Sequence, residues 1–113
     1  MSVTNEQIAN HPFLQEMFDD GYFPDPLVEE GKQILLKLCA DIETSKPADL
    51  AALYVLTHAA TEAFNVLDGK LQEAGSEIET AARDCIGTEF AFIAKAYGFQ
   101  DADIEELIAP RDW

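Results

Sequence analysis

The stretch Asp49-Leu50-Ala51-Ala52-Leu53-Tyr54-Val55-Leu56-Thr57-His58-Ala59-Ala60-Thr61-Glu62-Ala63-Phe64-Asn65-Val66-Leu67-Asp68-Gly69-Lys70-Leu71 decides the fold. Leu50, Leu53, Thr57, Ala60, Phe64, Leu67 and Leu71 recur at alternating steps of three and four, the spacing of one helix face. Leu56, Ala59, Ala63 and Val66 widen that face around most of the circumference, and a helix apolar on so many sides is normally surrounded by others. Asp49 offers a side-chain oxygen at the right place to cap it. The expectation is a buried central helix over about 49–71, which either passes through Asp68-Gly69 or breaks there.

Outward from this segment the same period continues, and strict alternation, the strand signature, is sustained nowhere. Asp25-Pro26 reads as the cap and first residue of a helix whose Leu27, Ile34, Leu35, Leu38 and Ile42 share a stripe, and Pro47 forces its end. Gly31 falls on that stripe, where glycine costs about 1 kcal/mol against alanine, so it marks a close helix–helix approach. Upstream, Thr4-Asn5-Glu6-Gln7 has the form of a capping box, and Pro12 restarts the chain before Phe13, Leu14, Met17 and Phe18. Downstream, Gly75 ends the central helix and Ser76-Glu77-Ile78-Glu79 is a second capping box for a helix running to about Tyr97. Asp101 caps a short last helix through Ile104, Leu107 and Ile108, stopped by Pro110. The fold class predicted is all-α: one domain over residues 1–113, a bundle of four to five helices.

At 113 residues there is room for one domain only. Seven Lys and Arg face 22 Asp and Glu, a net charge of −15. Binders of nucleic acid or of anionic membranes need clustered cations, so neither partner is expected. No unbroken apolar run reaches the ~18 residues of a membrane span, and no secretory signal is expected. Cys39 and Cys85 are too few for a disulfide framework, which fits a cytoplasmic protein.

No phosphate loop, dinucleotide fingerprint, zincin motif or nucleophile elbow is present. No catalytic residue, metal ligand set or cofactor is therefore assigned. The best local candidate is the one strongly polar strip of the central helix: Tyr54, His58, Thr61, Glu62 and Asn65. His58 and Glu62 stand four apart, so Glu62 can orient or charge the imidazole. A solvent-facing strip is the simpler reading, because a base without a positioned nucleophile or oxyanion donor makes no catalytic site. Glu89 projects into the apolar face of its helix and needs a partner, with His58, Tyr54, Tyr97 or a cation as candidates. Arg83 can clamp an anion, although Glu79 four residues earlier is positioned to pair with it as a structural tie. The aromatics Phe13, Phe18, Tyr22 and Phe23 read as core rather than as an exposed patch.

The strings Asp20-Gly21-Tyr22-Phe23-Pro24, Leu56-Thr57-His58-Ala59-Ala60-Thr61-Glu62, Ser76-Glu77-Ile78-Glu79-Thr80 with Ala82-Arg83-Asp84, and the Arg111-Asp112-Trp113 ending carry a resemblance. Over essentially its whole length the chain resembles a family of small bacterial proteins, domain of unknown function 5713. The resemblance implies a bacterial, cytoplasmic, stand-alone helical domain. It supplies no activity, ligand or catalytic residue.

Two functions are carried forward. The first is a non-enzymatic interaction protein (adaptor, antitoxin or immunity-like) that meets a basic protein partner with its acidic surface. The second is a small-molecule or metal-binding protein, conceivably an enzyme, with a polar site around His58, Glu62, Arg83 and Glu89, which requires those four to converge on one cavity. The oligomeric state is not fixed by either.

Overall fold

In the computed structural model, which describes residues 3–113, the decisive stretch forms a single uninterrupted helix, α4 (Leu50–Glu73). Residues 1–2 of the domain expected over 1–113 lie outside the described range. Asp49 caps α4 as its sequence implies, its carboxylate accepting from the Ala52 N–H at 2.9 Å. The helix continues through Asp68-Gly69 because Asp68 does not compete for its own backbone. Its buried carboxylate accepts instead from the Ile78 N–H at 2.8 Å and from the Gln72 side chain at 2.9 Å.

Five further helices complete the order: α1 (Glu6–Ala9), α2 (Gln15–Asp19), α3 (Asp25–Ser45), α5 (Thr80–Ala96) and α6 (Ile104–Leu107). The described residues thus form an all-α domain with three long helices, α3, α4 and α5, and three short ones. Helix α3 packs along α4, and α6 lies against both α4 and α5. Residues 3–19 form a strap, carrying α1 and α2, across α3 and α5. Phe13, Phe64, Phe90, Leu35, Leu53 and Ile86 are among the fully enclosed side chains where these elements meet. Gly31 is the close approach its position implies. A Cβ there would lie 3.0 Å from Leu14 Cδ1 and 3.2 Å from Phe64 Cε1.

Burial of α4 is one-sided, which corrects the expectation of a helix wrapped by its neighbours. Leu53, Thr57, Ala60, Phe64, Leu67 and Leu71 face the core, whereas Val55 and Val66 are 68% and 66% exposed. The alanines that widened the apolar face occupy too little volume to require a neighbour on every side. By length and composition α4 is long enough and apolar enough to cross a membrane, although no unbroken apolar run of that length exists.

Several helix starts also move. Glu79 rather than Ser76 is the cap residue of α5, which begins at Thr80: the Ser76 N–H closes α4 on Leu71 O at 2.8 Å, and Asp68 holds the Ile78 N–H outside the helix. Gly75, at φ +87°, permits that reversal. Asn5 rather than Thr4 caps α1, Pro24 rather than Asp25 precedes α3, and Asp103 rather than Asp101 caps α6. Phe13 and Phe23 are core, as expected, while Tyr22 is 43% exposed.

Candidate functional site

The polar strip of α4 is consumed by the protein's own C-terminus. Tyr54 Oη accepts from the Asp103 N–H at 3.2 Å, and His58 Nε2 donates to the Glu106 carbonyl at 2.6 Å. The Thr61 hydroxyl donates to the Thr57 carbonyl of its own helix at 2.9 Å, with the Leu107 carbonyl at 3.3 Å as a longer contact. Asn65 donates to the Pro110 carbonyl at 3.0 Å and accepts from the Asp112 N–H at 2.9 Å. Partners 45 to 49 residues apart all along this seam mean that the tail runs parallel to α4. The chemistry is that of a helix end. Carbonyls at the end of α6 and in the turn after it are short of donors, and His58 and Asn65 supply one each, to Glu106 and Pro110. Because a carbonyl only accepts, His58 carries its proton on Nε2. Trp113 completes the seam by packing edge-on against Phe64, ring centroids 6.2 Å apart.

Glu62, expected to orient His58, is exposed and forms no side-chain hydrogen bond among the described residues. Arg83 is half-buried and pairs with no described carboxylate. Its expected Glu79 partner precedes α5 in an extended conformation, so the helical four-residue spacing does not apply to the pair. The Arg83 Nε atom is buried without an acceptor.

Glu89 does have the partner its burial demands, and the partner is the other histidine. Its Oε1 lies 2.8 Å from His11 Nε2, and its Oε2 accepts from the Leu14 N–H at 2.8 Å. Leu14 sits at φ +60°, ψ +26°, a left-handed conformation that costs a leucine roughly 1–3 kcal/mol. The carboxylate thus fixes a strained turn. His11 stacks on Phe92 at 4.0 Å and meets Phe13 edge-on at 4.6 Å. His58, Glu62, Arg83 and Glu89 are therefore not drawn together: His58 is spent on α6, and Glu89 on the strap.

The His11–Glu89 pair borders a cavity of about 450 Å³ that also takes in Glu16, Asp84, Cys85 and Thr88. Three carboxylates against one imidazole make it acidic. Burial, then the negative charges of Glu89 and Glu16, push the Cys85 thiol up to about 11, so near neutral pH it is a protonated, weak nucleophile. Among the described residues no group of three or more His, Cys, Asp or Glu could hold a metal ion.

A second carboxylate, Glu43 on α3, holds the start of the strap. It accepts from the Thr4 N–H at 2.9 Å, the Thr4 hydroxyl at 2.8 Å, the Asn5 N–H at 3.2 Å and the Tyr97 hydroxyl. The Tyr97 hydroxyl first, then the Thr4 N–H, lower the Glu43 carboxyl to about 2. Burial, and next the nearby Glu43 charge, raise the Cys39 thiol to about 12.

The profile of a family described as a family of unknown function, DUF5713, matches residues 7–113. The chain belongs to DUF5713. No curated protein and no solved structure matches it. The DUF5713 match takes in His11, Glu89 and the whole C-terminal seam, while Thr4 and Asn5, which Glu43 holds, precede it.

Proposed function

We propose that this DUF5713 protein acts by binding a basic protein partner through its acidic surface, as an adaptor, antitoxin or immunity-like inhibitor does. What carries the reading is the scarcity of internal neutralisation. Against 22 acidic residues, the ion pairs of the described residues engage only Glu30, Asp41, Glu89 and Glu105. The remaining field acts at long range, accelerating encounter with a cationic partner and rejecting anionic ones. The fate of the polar strip supports the same reading, since apart from Glu62 its polar side chains are hydrogen-bonded within the chain. The setting proposed with it is a bacterial cytoplasm, to which two free thiols are suited. Capture of host proteins on the immobilised chain tests it. A basic protein should be retained at low salt and released as ionic strength rises. Retention of none at low salt refutes it.

A second reading, binding of a small cationic ligand, has its own observation: the half-buried His11–Glu89 pair beside the acidic cavity of about 450 Å³. Calorimetric titration with spermidine and with arginine tests it. Heat that disappears in Asp84→Asn supports it, and no heat refutes it.

A further inference from the structure

We infer that the outer groove between α3 and α4 is the docking surface for an amphipathic, cationic helix of the partner. This rests on the basic-partner reading above and names where and how that partner binds. A cavity of about 520 Å³ between the two helices is lined by Ile34, Ala63, Val66 and Leu67. A second one, of about 150 Å³, shares Ile34 and Ala63 with it and extends toward Leu56 and Ala59. Val55 and Val66, two of the most exposed large apolar side chains, stand on the same outer side of α4, three turns or about 16 Å apart. Only 33% of the most apolar stretch of α4 is buried within the fold, so its hydrophobicity exceeds what its own core uses.

The rim identifies the occupant. Lys37 and Lys70 are already neutralised, by Asp41 at 2.9 Å and Glu30 at 2.8 Å. Glu29 beside the groove and Glu62 on the exposed side of α4 have no cationic partner among the described residues. A second copy would bring another −15 charge to the same face, which opposes self-association. An apolar trough with unpaired carboxylates beside it complements a helix with an apolar stripe and Lys or Arg on its flanks. That helix would complete a three-helix layer with α3 and α4.

The test uses the full chain, a synthetic amphipathic Leu/Lys helical peptide, its Leu/Glu counterpart and polylysine. The Leu/Lys peptide should bind, the Leu/Glu peptide should not, and the largest amide shifts in two-dimensional NMR should fall at Ile34, Ala59, Ala63 and Val66. The double variant Val55→Ser, Val66→Ser should bind the Leu/Lys peptide about tenfold more weakly with an unchanged unfolding midpoint, since only exposed side chains are altered. Shifts gathered instead around Glu16 and Asp84, with the double variant binding normally, overturn the groove while leaving the basic-partner reading intact. Failure of both the Leu/Lys peptide and polylysine to bind at low salt overturns both. Sedimentation showing a dimer that the double variant loses, or flotation with phosphatidylcholine vesicles that it loses, overturns the proposal in favour of a second copy or a membrane.

Discussion

Replacing Glu89 by alanine tests whether one buried carboxylate organises the N-terminal strap. Glu89 is 7% exposed and satisfies two groups on that strap, the Leu14 N–H and His11 Nε2, each at 2.8 Å. Truncation leaves both without a partner, and an orphaned buried polar group costs about 1–3 kcal/mol. Two effects moderate the loss. The Glu89 carboxylate no longer has to be desolvated, and the His11 side chain, 25% exposed, can turn its Nε2 to water. A net destabilisation of about 3 kcal/mol is expected for Glu89→Ala. Glu89→Gln keeps an acceptor for Leu14 and offers an amide to the ring, so it should cost only about 1 kcal/mol. With a urea m-value of about 1.5 kcal/mol/M for a chain of this size, Glu89→Ala should lower the unfolding midpoint by about 2 M. The loss should appear first in the strap, as faster hydrogen exchange at the Leu14 amide. If Glu89→Ala unfolds within about 0.5 kcal/mol of the parent chain, the carboxylate does not carry the strap and the reasoning fails. Equal losses for alanine and glutamine would show that charge, not hydrogen-bond geometry, is what matters there.

Three further outcomes follow from the same contacts. Gly31→Ala gains about 1 kcal/mol of helix propensity but drives a methyl to 3.0 Å from Leu14 and 3.2 Å from Phe64, so it should destabilise by about 1–2 kcal/mol net; Gly69→Ala, with nothing within 4 Å, should stabilise by up to about 1 kcal/mol, and thermal melts read both. Asn65→Ala removes two hydrogen bonds to the tail and should free Trp113 from Phe64, seen as a red-shifted emission of the single tryptophan and a loss of about 1–3 kcal/mol. Glu43 has its folded carboxyl lowered from 4.5 to about 2, so its contribution is fully present above about pH 4.5 and is lost as pH falls toward 2. Glu43→Gln should flatten the pH dependence of the urea midpoint across that window, and an unchanged slope would contradict the assignment.

The fold was largely legible because periodicity reports burial. The three-and-four spacing of α4, the Asp49 cap and the glycine at 31 each followed from a local rule with one physical cause. What the pattern lacks is a record of volume. Ala59 and Ala63 count as apolar in any periodicity yet require no neighbour, so α4 reads as enclosed when one side of it is open. The second capping box failed for a related reason. Ser76 and Glu79 have the right spacing, but the Ser76 N–H that Glu79 would cap is taken by the Leu71 carbonyl at the end of α4, and Asp68 holds the next turn through Ile78. A local motif cannot register a competitor that only tertiary structure delivers.

The candidate site shows the same limit at longer range, and its partial success has a definite physical basis. That Glu89 must be paired follows from solvation alone, because a carboxylate facing an apolar interior demands a donor wherever the donor resides in sequence. Which donor meets it does not follow, because His11 lies in a non-periodic turn 78 residues away and no spacing rule connects the two. The strip on α4 is the converse case. Tyr54, His58, Thr61 and Asn65 do share one face, but a polar helix face meets either solvent, a ligand or the orphaned carbonyls of another helix end. Here the last possibility is realised, through backbone carbonyls of Glu106 and Pro110 that no side chain marks in the sequence. With those donors spent internally, what the fold leaves unpaired is the surface carboxylates and the valines that α4 turns outward.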